Sequence, residues 1–378
     1  MFTEMRADAA VSGQRAIGPE DILPPTYDHG GDTASCSAHV SNFHITCYNK
    51  RMRQHDYAPR PAHLKWLLDS DPAIRWQVMR DLTDEAPDAI AAERSRVATE
   101  GWGAQLLARQ SPAGHWGGGR HWDLIATWSL VVLKDLGLDP ASKRARKMID
   151  RVDRRLVFKP LNKRPYLDGE TEPCINGRIL GIGAYFKEPG EARGHATSEA
   201  LADQLLDEQL EDGGWNCEAP KSRRSSFHTT ICVLEGLLAF ERAKYARAGR
   251  KPGRELGAVT EARKRAENYL LERGMFRSLR TGEVIDKRWQ RFSYPTFWHY
   301  DVLRGLDYLR DAGVKPDGRV QEAIEVVIQR RHQNGRWPLN LLHPEEIPLE
   351  METEVGRASR WNTLRALRVL RWYNSSRG

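Results

Sequence analysis

The residues with the widest chemical reach in this chain are two histidines, His228 and His299, with Asp301 and Cys217 as neighbours in kind. Zinc accepts mixtures of nitrogen, sulfur and oxygen donors, so His228, His299 and either Asp301 or Cys217 form a candidate zinc set. The histidines are far apart in sequence, unlike an H-E-x-x-H pair, whose spacing puts both rings on one helix face. The plain alternative is that both rings cap helices or make local hydrogen bonds. Cys174 and Cys217 are candidate nucleophiles if a histidine approaches either thiol, although cysteine is also a common small core residue. Arg288 and Arg291 could clasp a diphosphate bidentately. Beside them Trp289, Phe292, Tyr294 and Trp298 could wall an apolar chain or a carbocation. A surface loop anchored by its aromatics would carry the same residues.

Elements must hold these groups together, and composition limits what the elements can be. The chain has 378 residues, 40% hydrophobic and 29% charged, with a formal charge of +7. That is an ordinary globular balance. Lys and Arg are spread along the whole chain, as expected of solvated helix faces, and no aromatic interleaving marks a nucleic-acid surface. The five cysteines include no C-x-x-C pair, so a zinc ribbon is not expected. An odd cysteine count, no secretory signal and no apolar run of membrane length predict a soluble, cytoplasmic protein without a transmembrane segment. Residues 1–57 lack sustained periodicity and are expected to be an irregular or disordered extension to a domain over 58–378. Met52, just before the patterned region, is an alternative start to Met1.

From residue 62 onward one segment type recurs six times. The copies are 74–82, 123–136, 176–186, 228–240, 299–309 and 361–372, apolar helices with small residues inside them. Between them lie amphipathic segments at about 87–109, 141–156, 196–209, 258–273 and 318–332. Val320, Ile324, Val327 and Ile328 mark the stripe of a helix packed on one side. Strand-like alternation is missing. Buried inner helices alternating with half-exposed outer ones predict an all-α protein. A third element punctuates the repeats: Gln110 to Trp116, Gln209 to Trp215 and Gln333 to Trp337, each with Gly in a short turn. Gly supplies the positive φ that ends a helix, and Trp can pack across the helix end.

These turns resemble the QW motifs of squalene–hopene cyclases, and the resemblance covers roughly residues 62–375. Asp212-Gly213-Gly214-Trp215-Asn216-Cys217 and Trp298-His299-Tyr300-Asp301-Val302 are similar to phrases in squalene-cyclase-like bacterial proteins. The resemblance to the terpenoid cyclase and protein prenyltransferase superfamily implies a single (α/α)6 toroid whose inner helices start at one mouth of a central cavity. It implies that His121, Trp122, Asp123, Glu170, Glu172, Cys174, Cys217, His228, Trp298, His299, Asp301, Arg360, Trp361 and Asn362 line that mouth. A thiol at an inner-helix start, as at Cys174, would have its pKa lowered by the helix dipole. No D-x-D-D or D-D-x-x-D motif occurs, so squalene cyclisation itself is not implied. Asp168-Gly169-Glu170-Thr171-Glu172 could supply a substitute acid. The prenyltransferase zinc ligands fall near Ser226, His228 and His299, with two of the three types changed.

The expected function is therefore an enzyme acting on a hydrophobic, isoprenoid-type substrate, assisted by zinc held by His228, His299 and Cys217. Glu170, Glu172, Cys174 and Asp301 are its catalytic candidates, and Trp122, Arg288, Arg291, Trp298 and Trp361 its substrate-binding ones. One alternative is a non-catalytic toroid that binds a lipid or a protein. Another is a lyase or glycosidase pairing Glu170 or Glu172 with Asp301 across a groove.

Overall fold

The computed structural model describes residues 59–117, 121–187, 192–248 and 254–375, and they are mostly helical. The extension expected over residues 1–57, with Met52, lies outside them. The described helices are α1 (Pro61–Leu68), α2 (Pro72–Leu82), α3 (Pro87–Ser95), α4 (Gly101–Ala108), α5 (Trp122–Asp135), α6 (Lys143–Arg155) and α7 (Pro173–Phe186). They continue with α8 (Ala192–Asp207), α9 (Phe227–Ala248), α10 (Arg254–Glu272), α11 (Val302–Asp311), α12 (Gln321–Gln329) and α13 (Arg360–Ser375). A two-stranded hairpin pairs Val157–Phe158 with Arg164–Pro165. Among the described residues no helix is long and apolar enough to cross a membrane.

Helix starts follow local chemistry. Proline opens α1, α2, α3 and α7, where its missing N–H costs nothing. Asp71, Ser142 and Asp301 accept the free amides at the starts of α2, α6 and α11. Burial then sorts the helices. α5 is buried continuously from Ala126 to Leu133, and α7, the first half of α9, α11 and α13 are buried nearly all round. α6 buries only Ala145, Met148, Ile149 and Val152, one stripe at helical spacing.

Small residues set the closest helix contact, between α7 and α9. A Cβ at Gly177 would lie 2.6 Å from the Cys232 carbonyl oxygen, and one at Gly236 would collide with the Gly177 carbonyl. Backbone cannot yield as a side-chain tip can. Gly236→Ala is therefore expected to destabilise by about 1–3 kcal/mol through overpacking, measured as a lowered urea midpoint. An unchanged midpoint would mean the two helices are free to separate.

The Gln–Gly–Trp turns share one hydrogen-bond scheme. Trp116, Trp215 and Trp337 each donate the indole N–H to the carbonyl ten residues earlier, Leu106, Leu205 and Val327, at 2.7, 2.6 and 2.6 Å. Gly114, Gly213 and Gly335 have φ of 97°, 96° and 82°, which only glycine adopts freely. Gln110 and Gln209 each donate to the turn glycine's carbonyl and to a carbonyl of the next helix but one, Met148 of α6 or Ala262 of α10. In the third turn the glutamine of the motif is Gln333. It is exposed, and Arg331, six residues before Trp337, bonds the Gly335 carbonyl instead. The length of the turn, not the residue name, decides which side chain reaches back.

Ion pairs and hydrogen bonds link the buried helices in succession. Glu235 of α9 pairs with Arg178 of α7 and Arg304 of α11, both 4% exposed. Asp307 of α11 faces Arg365 of α13 at 3.9 Å. Arg368 of α13 pairs with Asp81 and donates to Gln77, both of α2. Gln77 in turn donates to the Asp135 carbonyl of α5 at 3.0 Å. The last helix is thus tied to the second. Charged and amide side chains thus lie among the apolar ones where these helices meet.

Candidate functional site

The candidate groups gather where α7, α9 and α11 begin, in two clusters on either side of the first turn of α9. The first is built by two non-helical stretches. One runs from Arg291 to Asp301 and the other from Pro338 to Ser359. Asn340 clamps them together, its side-chain oxygen accepting from Phe292 N–H at 3.0 Å while its own N–H donates to the Phe292 carbonyl at 2.9 Å. This clamp delivers His343 and Glu345 to His299.

His299 bonds Glu345 Oε1 through Nε2 at 2.8 Å and stacks face to face on His343, centroids 3.6 Å apart and planes within 3°. The other face of His299 lies against Trp298, at 3.9 Å, and the Trp298 indole N–H also donates to Glu345 Oε1. Ser293 Oγ sits 2.8 Å from His343 Nε2. The donor atoms of His299, His343 and Glu345 lie within 4.8 Å of one another. The second oxygen of Glu345 is buried and meets no hydrogen-bond partner among the described residues. A buried carboxylate oxygen left without a partner is costly, and an ion held beside the two imidazoles would give it one.

His228 has a different part. The Tyr300 N–H donates to His228 Nδ1 at 2.8 Å, so the ring is neutral and carries its proton on Nε2. Burial, with the charge of His299 beside it, holds its pKa down to about 3. A ring whose Nδ1 accepts and whose Nε2 is protonated is a hydrogen-bond donor and has no lone pair left for a metal. His228 stands edge-on to Trp289, Trp298 and His299, 5.6, 5.0 and 5.9 Å away. His343 is likewise held to about 3, by burial first and then by His299 and His228.

The second cluster joins Glu172, Cys174 and Cys217, whose donor atoms again lie within 4.8 Å of one another. The Cys174 thiol is 3.7 Å from Glu172 Oε2, and Cys217 Sγ is 3.4 Å from Thr229 Oγ1. Asn176, fully buried, accepts from Glu170 N–H at 2.7 Å and donates to the Glu170 carbonyl, pinning the acidic loop to α7. Glu170 turns its own carboxylate onto the Thr171 and Glu172 amides. Burial, and then Glu170, raise the Glu172 carboxyl above the usual range.

The sequence-based metal set is therefore divided. Cys217 stands with Cys174 and Glu172, His299 with His343 and Glu345, and His228 accepts the Tyr300 amide. Cys174, expected to have its pKa lowered by the helix dipole, is raised instead. The Cys217 hydrogen bond and burial hold its proton, while Cys217, half-buried and bonded by Cys174 and Thr229, is lowered. His299 was placed at a helix start but precedes α11 by three residues. Asp301 caps α11, accepting from Arg304 N–H at 2.7 Å. It is 3% exposed and raised to about 6 by burial, with Arg365 opposing.

The expected substrate-binding residues are spread more widely. Arg288 is exposed and paired with Asp286, and Arg291 donates to the Asn340 carbonyl at 2.7 Å. Trp361 is buried between Tyr294, stacked at 4.2 Å, and Trp102 at 6.3 Å, so its faces are already covered. Trp122 leans on Phe158. Trp298, half-buried, is the one that touches the histidine cluster.

Sequence reading missed His343 and Glu345. They lie in a stretch without helical periodicity, which offers no face on which to place them. The available signal was the length of that stretch, since long unstructured connections in compact domains are commonly functional. Fold and site together define a helical protein with two clusters of side chains of metal-ligating type near one helix start. No protein-family model matches the chain, and no curated protein matches it.

Proposed function

We propose that the chain is an enzyme built as a single closed ring of paired helices, kin to the terpenoid cyclases and protein prenyltransferases. Its reaction centre lies where the inner helices begin. The succession of contacts α7–α9–α11–α13–α2–α5 supports the ring, as does the repeated Trp turn. The single observation carrying the centre is the unpartnered Glu345 oxygen beside two stacked imidazoles. His299, His343 and Glu345 would hold a zinc-class ion. Bound there, such an ion polarises a carbonyl or phosphoryl oxygen or lowers the pKa of water.

The protein's own groups have separable tasks. Glu345 orients His299, with the Trp298 indole holding the carboxylate in turn. Neutral His228 offers Nε2–H to charge developing on a substrate oxygen. Arg288, exposed at the rim, suits an anionic head group, and Trp298 suits the apolar body of an isoprenoid-type substrate. The ion pairs between inner helices favour a head group worked on at the rim over an apolar chain lodged among those helices. A sugar-active centre is not favoured, because Asp301 is spent on capping α11 and Glu170 on its own loop.

The test is elemental analysis of the full chain. About one equivalent of zinc is expected at the histidine cluster, with His343→Ala losing it while the helical circular dichroism persists. A protein from zinc-supplied growth that carries no ion sensitive to His343→Ala would leave a binding scaffold as the better reading.

A further inference from the structure

We infer that Glu172, Cys174 and Cys217 form a second metal site, distinct from the histidine cluster and specific for thiophilic ions such as Zn(II), Cd(II) or Co(II). The geometry is that of a three-ligand set. Its two sulfurs and one carboxylate oxygen come from three separate positions: the residue before α7, the first turn of α7 and the turn leading into α9. All three donors lie within 4.8 Å of one another. Both thiols are free, so no disulfide consumes them. Two sulfurs and an oxygen around one point make a borderline-to-soft donor set, which magnesium and calcium avoid and zinc accepts.

The surroundings are built rather than incidental. Asn176 fixes the acidic loop through two backbone bonds, and Thr229 approaches Cys217 from the first turn of α9. These are the outer contacts that orient ligands before an ion arrives. Cys174 is 4% exposed while Cys217 and Glu172 are half-buried, so the set is closed on the α7 side and reachable from the other. Three protein ligands leave a fourth position for water or a substrate atom, the arrangement of a catalytic rather than a purely structural site. The third thiol among the described residues, Cys232, is fully buried between Arg178 and Arg304 and is not a member.

Cobalt titration of the reduced, chelator-stripped full chain tests this. Thiolate-to-cobalt charge transfer produces a near-ultraviolet absorption that histidine and carboxylate ligands cannot give. One equivalent of Co(II) should produce it. Cys217→Ser and Cys174→Ser should each abolish it, while Cys232→Ser should keep it. His343→Ala should also keep it and lower only the total cobalt bound, so failure here and failure of the histidine site are separately visible. Cys217 is half-buried and its loss should leave the helical circular dichroism intact, which separates lost ligation from lost folding. No charge-transfer band in the reduced wild type, or a band surviving Cys217→Ser, overturns the site.

Discussion

Glu235→Ala is expected to destabilise the fold by about 3 kcal/mol, the low end of the cost of stripping the counter-charge from a buried ion pair, since Glu235 is itself 26% exposed. The reason lies in where the carboxylate stands. It bridges Arg178 and Arg304, each 4% exposed, from two other helices. Removing it leaves two guanidinium groups close together with no acid between them and little water to screen them. Arg178 would keep its bond to the Phe297 carbonyl, at 2.6 Å, and Arg304 its bond to the His299 carbonyl, at 2.5 Å. Those neutral acceptors do not cancel charge. Glu235→Gln should fall between, since it keeps an acceptor but loses the charge. Urea unfolding followed by circular dichroism measures both. A loss under about 1 kcal/mol for Glu235→Ala, the range of exposed pairs, would show that the charged interior is wet. The case for work at the rim rather than among the inner helices would then weaken.

A second large effect concerns ligand linkage. Free zinc at a thousandfold over its dissociation constant should raise the unfolding free energy by about 4 kcal/mol, because the ion binds the folded chain and not the unfolded one. The histidine site's share of the increment should be lost in Glu345→Ala, leaving only the response of the thiol set. That variant removes both the oxygen bonded to His299 and the buried oxygen without a partner. Without zinc, Glu345→Ala should cost little, since deleting an unsatisfied buried oxygen offsets the loss of the His299 and Trp298 bonds. Thermal melts with zinc and with chelator give the comparison. An equal zinc response in wild type and Glu345→Ala would remove Glu345 from the ligand set and leave the thiol cluster as the candidate among the described residues.

Much of the fold was legible because it rests on local rules. The inner segments read as 123–136, 176–186 and 228–240 appear as α5, α7 and α9, whose starts differ by a few residues where Pro173 or Trp122 opens the helix. The stripe Val320, Ile324, Val327, Ile328 likewise announces α12. The outer segment at 87–109 is divided in two, because Gly101, with φ of 63°, turns the chain between α3 and α4. The third Gln–Gly–Trp turn shows where local reading misleads. Arg331 and Gln333 are both long donors near a glycine, and only the backbone path of the turn decides between them.

The site was less legible, for a physical reason. Helix periodicity, proline at helix starts and glycine in turns follow from the conformations open to each residue and its near neighbours, so the sequence by itself determined the helices and their buried faces. Which side chains meet depends on chain segments distant in sequence that only packing brings together. Asn340 must reach Phe292 before Glu345 can meet His299, and the Tyr300 amide must reach His228 before that ring loses its capacity to ligate. Cys217 had equal claim to the histidines and to Cys174 until α7 and α9 packed through their glycines. Tertiary structure alone made that choice, since coordination and hydrogen bonding act over a few ångströms and sequence distance carries no such information.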